Sequence, residues 1–150
     1  MISPLAGLAA PLWLAPAPAA GLGGVDTWRL RPLAGLLAVG LGDTAASAVG
    51  VACGRRRLFS GWAKTWEGTA AGFAVTLGGA LAALAVLPHG GGAPGPGDGA
   101  AHAGMGLTAM RMLQLAAATA AMALLEAITS QVDNVFVPLF YYCALAAAGF

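Results

Sequence analysis

The feature that most constrains this chain is a series of apolar stretches, each about as long as a membrane is thick. Residues 69–87 contain no Asp, Glu, Lys or Arg, and a helix of roughly 20 apolar residues crosses the hydrocarbon core of a bilayer. Residues 33–53 and 106–129 form stretches of similar length, and residues 134–150 form a shorter one. These stretches predict transmembrane helices, because a spanning segment must satisfy its own backbone hydrogen bonds.

Composition supports a membrane protein. Hydrophobic residues make up 59% of the chain and charged residues only 9%, against about 25% charged residues in a typical soluble domain. The predicted fold is therefore all-α: a polytopic transmembrane helical bundle in one domain over residues 1–150, with about 4–5 spanning helices. Residues 1–24 are also apolar, but four prolines there predict only a kinked or partial span.

Two polar segments fix which ends of the helices lie together. Residues 54–67 hold four of the seven basic side chains, Arg55, Arg56, Arg57 and Lys64, which indicates a cytosolic loop. Residues 88–104 are rich in Gly and Pro and contain no Lys or Arg, so a flexible loop on the opposite side is predicted. Two spans separate the basic loop from a turn at residues 130–134, so that turn is expected on the cytosolic side as well.

The span at residues 33–53 is interrupted near its middle by Gly40, Gly42 and Asp43. Glycines and an acid at mid-span predict a broken helix whose second half begins near Asp43. A helix that begins there would point free backbone N–H groups at an anion. The small residues that follow also permit close helix packing, which is the commoner explanation of such a run.

Four of the six acids lie within or beside predicted spans, where a charged group is costly. They are Asp43, Glu67, Glu126 and Asp133. Mg²⁺ prefers oxygen ligands and commonly takes one or two carboxylates together with substrate phosphates. Asp43, Glu126 and Asp133 therefore have the chemistry that a metal-bound nucleotide requires.

Spacing offers two arrangements for these acids. On a continuous helix over residues 124–138, Glu126 and Asp133 would share one face. The alternative is a set of structural ion pairs, Asp43 with Lys64 or an arginine and Glu126 with an arginine at position 111. Composition alone leaves both arrangements open.

The end of the basic loop carries a further group of candidates. Lys64 can act as a point charge on a phosphate, and Gly68 would let a ligand approach the backbone. Thr65 can cap the following helix with Glu67 in its first turn, which is a purely structural role. The three arginines can bind nucleotide phosphate, but such runs more often set topology or touch anionic lipid.

Three blocks of sequence, in this order, resemble the C-terminal catalytic region of dolichol kinases. They are LGDTAASAVG at residues 41–50, KTWEGT at residues 64–69 and LLEAITSQVDN at residues 124–134. The resemblance covers roughly residues 36–145, to which the Gly/Pro loop contributes nothing.

The resemblance implies a multi-pass enzyme of the endoplasmic reticulum membrane whose active face is cytosolic. Such an enzyme moves the γ-phosphoryl group of CTP to the hydroxyl of dolichol, with a divalent metal such as Mg²⁺, and supplies dolichyl phosphate for protein glycosylation. The implied partners are CTP, a long-chain polyprenol and the lipid bilayer. Nucleic acid is not among them, because the basic residues are too few to neutralise a phosphate backbone.

The resemblance also implies roles for individual residues. The catalytic candidates are Asp43, Asp133 and Glu126, of which Asp43 and Asp133 would hold the metal. The nucleotide-binding candidates are Gly42, Lys64, Thr65, Glu67, Gly68, Thr69, Gln131 and Asn134.

The chain departs from the family pattern in two respects. Ala63 stands where the family usually has a second lysine, and family members are considerably longer, so the chain resembles a fragment. Three other functions are consistent with the sequence. They are a lipid-alcohol kinase of the phytol or farnesol type, a CTP-using cytidylyltransferase and an inactive membrane fragment.

Overall fold

The protein folds as a bundle of helices. The computed structural model describes residues 4–14, 30–58, 63–86, 109–129 and 133–150. The helices are α1 (Pro4–Leu14), α2 (Leu36–Cys53), α3 (Trp66–Val86), α4 (Ala109–Ile128) and α5 (Asp133–Ala147). These ranges contain no strand, only an isolated antiparallel bridge between Arg57 and Thr65. The all-α prediction is confirmed, and the predicted loop at residues 88–104 lies outside the described residues.

Within the described ranges, three helices are long and apolar enough to cross a membrane. They are α2 with 18 residues, α3 with 21 and α4 with 20, whereas α5 contains a shorter apolar stretch, Val135–Ala147. Large apolar side chains project from their surfaces, with Val51 90% exposed and Val86 80% exposed. Lipid tails solvate such side chains without cost, so the exposure fits a membrane bundle. The 11 residues of α1 extend only about 16 Å, as expected of a partial span.

The break predicted near Asp43 is wrong, because α2 continues through it. Residues Leu36–Asp43 form a π-helix that leads directly into the α-helix Thr44–Cys53. The backbone N–H of Thr44 is bonded to the carbonyl of Leu41, so it is not a free donor for an anion. Glycines widen the helix here rather than breaking it, since no proline removes a hydrogen bond.

Small residues bring α2 and α3 into close contact along antiparallel stripes. A Cβ on Gly68 would lie 2.6 Å from the carbonyl oxygen of Ala46, and one on Gly72 would lie 3.0 Å from that of Gly42. At the far end of the stripe, the Thr76 hydroxyl donates to the carbonyl of Leu37 at 3.4 Å. The packing predicted for the small residues of α2 is therefore confirmed, and it needs glycine on both helices.

The remaining helices close the other side of the bundle. The ends of α1 and α5 meet where the Tyr142 hydroxyl donates to the carbonyl of Leu14 at 3.0 Å. The buried Tyr141 hydroxyl lies 3.1 Å from that of Thr119, which itself donates to the Leu115 carbonyl. The core consists of Leu30, Ala34, Leu37, Ala38, Ala80, Leu115, Ala118, Met122, Val137, Tyr141, Leu145 and Phe150.

The continuous helix considered for residues 124–138 does not form. Helix α4 ends at Ile128 and α5 begins at Asp133, so Glu126 and Asp133 do not share a helix face. Thr129 makes the last helical hydrogen bond, from its backbone N–H to the carbonyl of Leu125, and its hydroxyl bonds to the same carbonyl.

Candidate functional site

A cavity of about 240 Å³ lies at the basic-loop end of the bundle. It is bounded by the second half of α2, the residues just before α3, the first turn of α3 and the last turn of α4. Its lining residues are Asp43, Ala46, Ser47, Gly50, Val51, Ala63, Lys64, Thr65, Gly68, Thr69, Glu126 and Ala127.

The cavity draws charged side chains from all three of the sequence blocks singled out above. Asp43 comes from α2, Lys64 from the loop before α3 and Glu126 from the last turn of α4. The glycines of α2 and α3 make this possible, because they let the two backbones approach closely near the start of α3. The fold thus gathers two acids and one base that lie far apart in sequence.

Lys64 links the basic loop to the end of α4. Its ammonium donates to the backbone carbonyl of Glu126 and, at 2.7 Å, to that of Thr129. The last carbonyls of a helix lack partners within the helix and carry partial negative charge, so a lysine there is a favourable cap. The contact confirms that the basic loop and the end of α4 lie at the same end of the bundle.

Thr65 starts α3 as the sequence predicted. Its hydroxyl accepts a hydrogen bond from the backbone N–H of Gly68 at 3.2 Å, which is the usual geometry of a helix N-cap. The Thr69 hydroxyl donates to the carbonyl of Thr65 at 3.1 Å. Both threonines line the cavity, so two hydroxyls lie near Lys64.

Glu67 lies in the first turn of α3 and faces the basic loop rather than the cavity lining. Its carboxylate oxygens accept hydrogen bonds from the backbone N–H of Arg56, both at 3.2 Å. The backbone N–H of Trp66 donates to the carbonyl of Arg56 at 3.0 Å, and that of Leu58 donates to the carbonyl of Lys64, also at 3.0 Å. Glu67 therefore fixes the loop that carries Lys64.

The other predicted binding positions do not line the cavity among the described side chains. Gly42 is buried against α3, where an added Cβ would lie 2.7 Å from the Thr76 hydroxyl oxygen. Gln131 lies outside the described residues, as do the side chains of Asp133 and Asn134, the first two residues of α5.

One of the predicted structural ion pairs can be excluded. Arg111 and Glu126 lie near opposite ends of α4, which is about 20 Å along the axis. That distance is longer than the combined reach of the two side chains. Neutralisation by Arg111 therefore does not explain the acid at the cavity.

Ser47 is a cavity residue that the sequence reasoning did not select. It is exposed on α2 and lines the cavity one helical turn after Asp43. The signal was present in the spacing, because side chains at i and i+4 share a helix face.

In the part of the chain that the structure describes, the polar side chains that line the cavity offer oxygen donors and one ammonium, without thiol or imidazole. Among the described residues, no three His, Cys, Asp or Glu side chains lie close enough to form a metal cage. Hard cations such as Mg²⁺ use oxygen ligands and need few of them from the protein, since water and phosphate supply the rest.

Comparison with known proteins gives a consistent result. No family model matches the chain, and no solved structure matches it. The chain is 34% identical over 141 residues to the protein named dolichol kinase EVAN from Arabidopsis thaliana, covering 94% of this chain and 21% of that protein. It is 34% identical over 145 residues to the proteins named dolichol kinase from Homo sapiens and Bos taurus, covering 95% of this chain and 24% of each.

The chain thus spans less than a quarter of the length of these relatives. The matching part is a C-terminal part of each relative. Because the match extends over about 95% of this chain, it supports the resemblance of the whole chain to the dolichol kinase family.

Proposed function

We propose that this chain carries the phosphoryl-transfer site of a dolichol kinase, in which CTP is the donor and the hydroxyl of dolichol is the acceptor. One observation carries the proposal: Asp43, Lys64 and Glu126, from three separate sequence blocks, line one cavity. The names of the relatives support the same reaction. The site would lie at the cytosolic face of the endoplasmic reticulum membrane and serve protein glycosylation.

Phosphoryl transfer depends mainly on positioning and on neutralising charge. In the proposed site the Lys64 ammonium, fixed by the carbonyls of Glu126 and Thr129 at the end of α4, attracts the triphosphate as a point charge. The hydroxyls of Thr65 and Thr69 lie beside it in the cavity wall. Gly68 lies in the same wall, where its missing side chain lets α2 pack directly on the start of α3.

The acids would act on the acceptor. The carboxylate of Asp43 or Asp133 accepts the proton of the prenol hydroxyl. The prenol oxygen forms a bond to the γ-phosphorus of CTP, and the bond between that phosphorus and the oxygen of the β-phosphate breaks. CDP leaves, and dolichyl phosphate remains in the membrane. Glu126 supports this site from the end of α4. Gln131 and Asn134, from the same block, would complete nucleotide binding.

The donor set fits a hard divalent cation, because the acids and hydroxyls of the cavity all offer oxygen. Asp43 and Asp133 are the residues that would hold it. When bound, Mg²⁺ would neutralise charge on the phosphates.

The proposal is tested with membranes that contain this chain, supplied with dolichol and CTP carrying label on either the α- or the γ-phosphate. Transfer of the γ-label to lipid with release of CDP is expected. Transfer of the α-label with release of pyrophosphate would instead identify a cytidylyltransferase. Absence of both products, together with absence of CTP binding, would reject the proposal in favour of an inactive fragment.

The acceptor is tested in the same assay by chain length. Dolichol is expected to be phosphorylated in preference to farnesol and phytol. Preference for either short alcohol would reject dolichol as the substrate and leave the phosphoryl-transfer chemistry intact.

A further inference from the structure

We propose that Ser47 is an oxygen ligand of the divalent cation held by Asp43. This inference rests on the proposed function, because that function requires a cation in the cavity. It adds to the site a residue that lies in the first of the three sequence blocks but is not among the site residues implied by the resemblance.

The position of Ser47 on α2 supports this role. Asp43 and Ser47 are one turn apart and both line the cavity, whereas the intervening Thr44 is exposed without lining it. Side chains at i and i+4 of a helix lie about 5–6 Å apart at Cβ. This spacing lets two helical side chains reach one ion, as the two histidines of a zinc-protease helix do.

Helix packing does not explain the serine. The face of α2 that packs on α3 is formed by Gly42, Ala46 and Gly50, where an added methyl group or a larger neighbour would collide. Ser47 is exposed and no part of that contact. Asp43 lies inside the continuous helix α2, where its carboxylate makes no capping hydrogen bond. The acid and the hydroxyl both lie in the cavity wall.

The chemistry of the pair selects the ion. A carboxylate and a hydroxyl are hard oxygen donors, which suit Mg²⁺ and Mn²⁺ rather than thiophilic metals. A serine or threonine hydroxyl has the same role on Mg²⁺ in phosphate-binding loops. Two protein ligands suffice in the free protein when water completes the shell, and phosphate oxygens replace part of that water once a nucleotide binds.

The test measures Mn²⁺ binding to the purified full chain by electron paramagnetic resonance, without CTP or prenol. Ser47→Ala is expected to weaken Mn²⁺ binding about tenfold or more, and Ser47→Thr is expected to retain it. Thr44→Ala is the matched control, because it removes a hydroxyl from the same exposed helix without altering the cavity, and its affinity is expected to be unchanged.

A second variant changes the ion preference rather than removing the ligand. Ser47→Cys is expected to bind Cd²⁺ more tightly and Mn²⁺ more weakly than the unsubstituted chain, since a thiolate prefers soft metals. Thr44→Cys is expected to show neither change. Equal Mn²⁺ affinities for Ser47→Ala and Thr44→Ala, or no saturable Mn²⁺ binding at all, would overturn the proposal. Because the measurement uses neither substrate, it can fail while the kinase assay succeeds, and the reverse.

Discussion

Lys64 combines a structural role with the proposed binding role. Its ammonium closes the end of α4 and also lies in the wall of the cavity. The stem comes from the loop before α3, so one side chain connects two of the three sequence blocks. Removing its charge should therefore affect both nucleotide affinity and stability.

Lys64→Met keeps an apolar stem and removes the charge. We expect the KM for CTP to rise at least about tenfold, and the free energy of unfolding to fall by about 1–2 kcal/mol because the α4 carbonyls lose their charged partner. Lys64→Arg should recover stability. Arg55→Met is the control, since it removes the same charge from the same loop at a position that does not line the cavity. Equal KM values for the two methionine variants would contradict the role of Lys64.

Thr65 provides a separate test of how the site is built. Thr65→Val keeps the shape of the side chain and removes the hydroxyl that caps α3. We expect a loss of about 1 kcal/mol in stability, measured by thermal unfolding in detergent, with recovery in Thr65→Ser. Unchanged unfolding of Thr65→Val would show that the start of α3 does not depend on this cap.

Local features of these residues could be read from the sequence. The cap at Thr65 and the acid in the first turn at Glu67 depend only on neighbours in the chain. The contact between Lys64 and the carbonyls of α4 could not be predicted, because it depends on how α3 and α4 pack. The hydrogen bond from the backbone of Arg56 to the Glu67 carboxylate could not be predicted either, because it requires the loop to fold back.

At the scale of helices, the glycine stripes of α2 and α3 hold the cavity in shape. Gly68 and Gly72 both face α2. An added methyl group would collide with α2 at Gly68 and would make a very tight contact with it at Gly72. Gly78 lies on the same helix, but a Cβ there would meet no atom within 4 Å. Substitution by alanine is therefore expected to destabilise the protein at Gly68 and Gly72 but not at Gly78.

Gly68→Ala is expected to force α2 and α3 apart, because the new methyl group would lie 2.6 Å from the Ala46 carbonyl oxygen. Stability should fall by about 1–3 kcal/mol, and CTP binding should weaken with it. Gly78→Ala is expected to be neutral or to raise stability by up to about 1 kcal/mol, since alanine favours helix more than glycine. Thermal unfolding of both variants checks this, and equal effects would contradict the packing account.

The helix prediction that failed did so for an identifiable reason. Glycines in α2 pointed to a break, but π-helical turns accommodate them without interrupting the chain. The span predicted to end at residue 129 matches α4, which ends at Ile128, whereas the alternative of a continuous helix over residues 124–138 does not form. Lys64, which comes from another part of the sequence, caps the end of α4 by donating to the carbonyls of Glu126 and Thr129.

At the scale of the whole molecule, charged residues from three distant sequence blocks meet at one end of an apolar bundle. The basic loop, the start of α3 and the end of α4 all meet at the cavity. Counting spans predicted this arrangement, because two spans separate the basic loop from the turn after α4. The shape of the cavity could not be predicted from the sequence, since it depends on how closely α2 and α3 pack.

Labelling of the two cysteines tests on which side of the membrane the basic loop and the cavity lie. Cys53 is the last residue of α2 beside the arginines, and Cys143 is exposed on the apolar helix α5. In sealed microsomes, a membrane-impermeant maleimide should label Cys53 in a Cys143→Ser variant. It should not label Cys143 in a Cys53→Ser variant, because a thiol among lipid tails does not ionise. Labelling of Cys53 only after permeabilisation would place the basic loop in the lumen.

The central claim is that charged residues from distant parts of the chain form one site for a nucleotide triphosphate. The most direct test is CTP-dependent phosphorylation of dolichol by membranes containing Asp43→Asn, compared with Asp98→Asn, which removes an acid from the Gly/Pro loop. The account predicts that Asp43→Asn lowers kcat/KM at least about 100-fold, whereas Asp98→Asn retains the activity of the unsubstituted chain. Full activity in Asp43→Asn would contradict it.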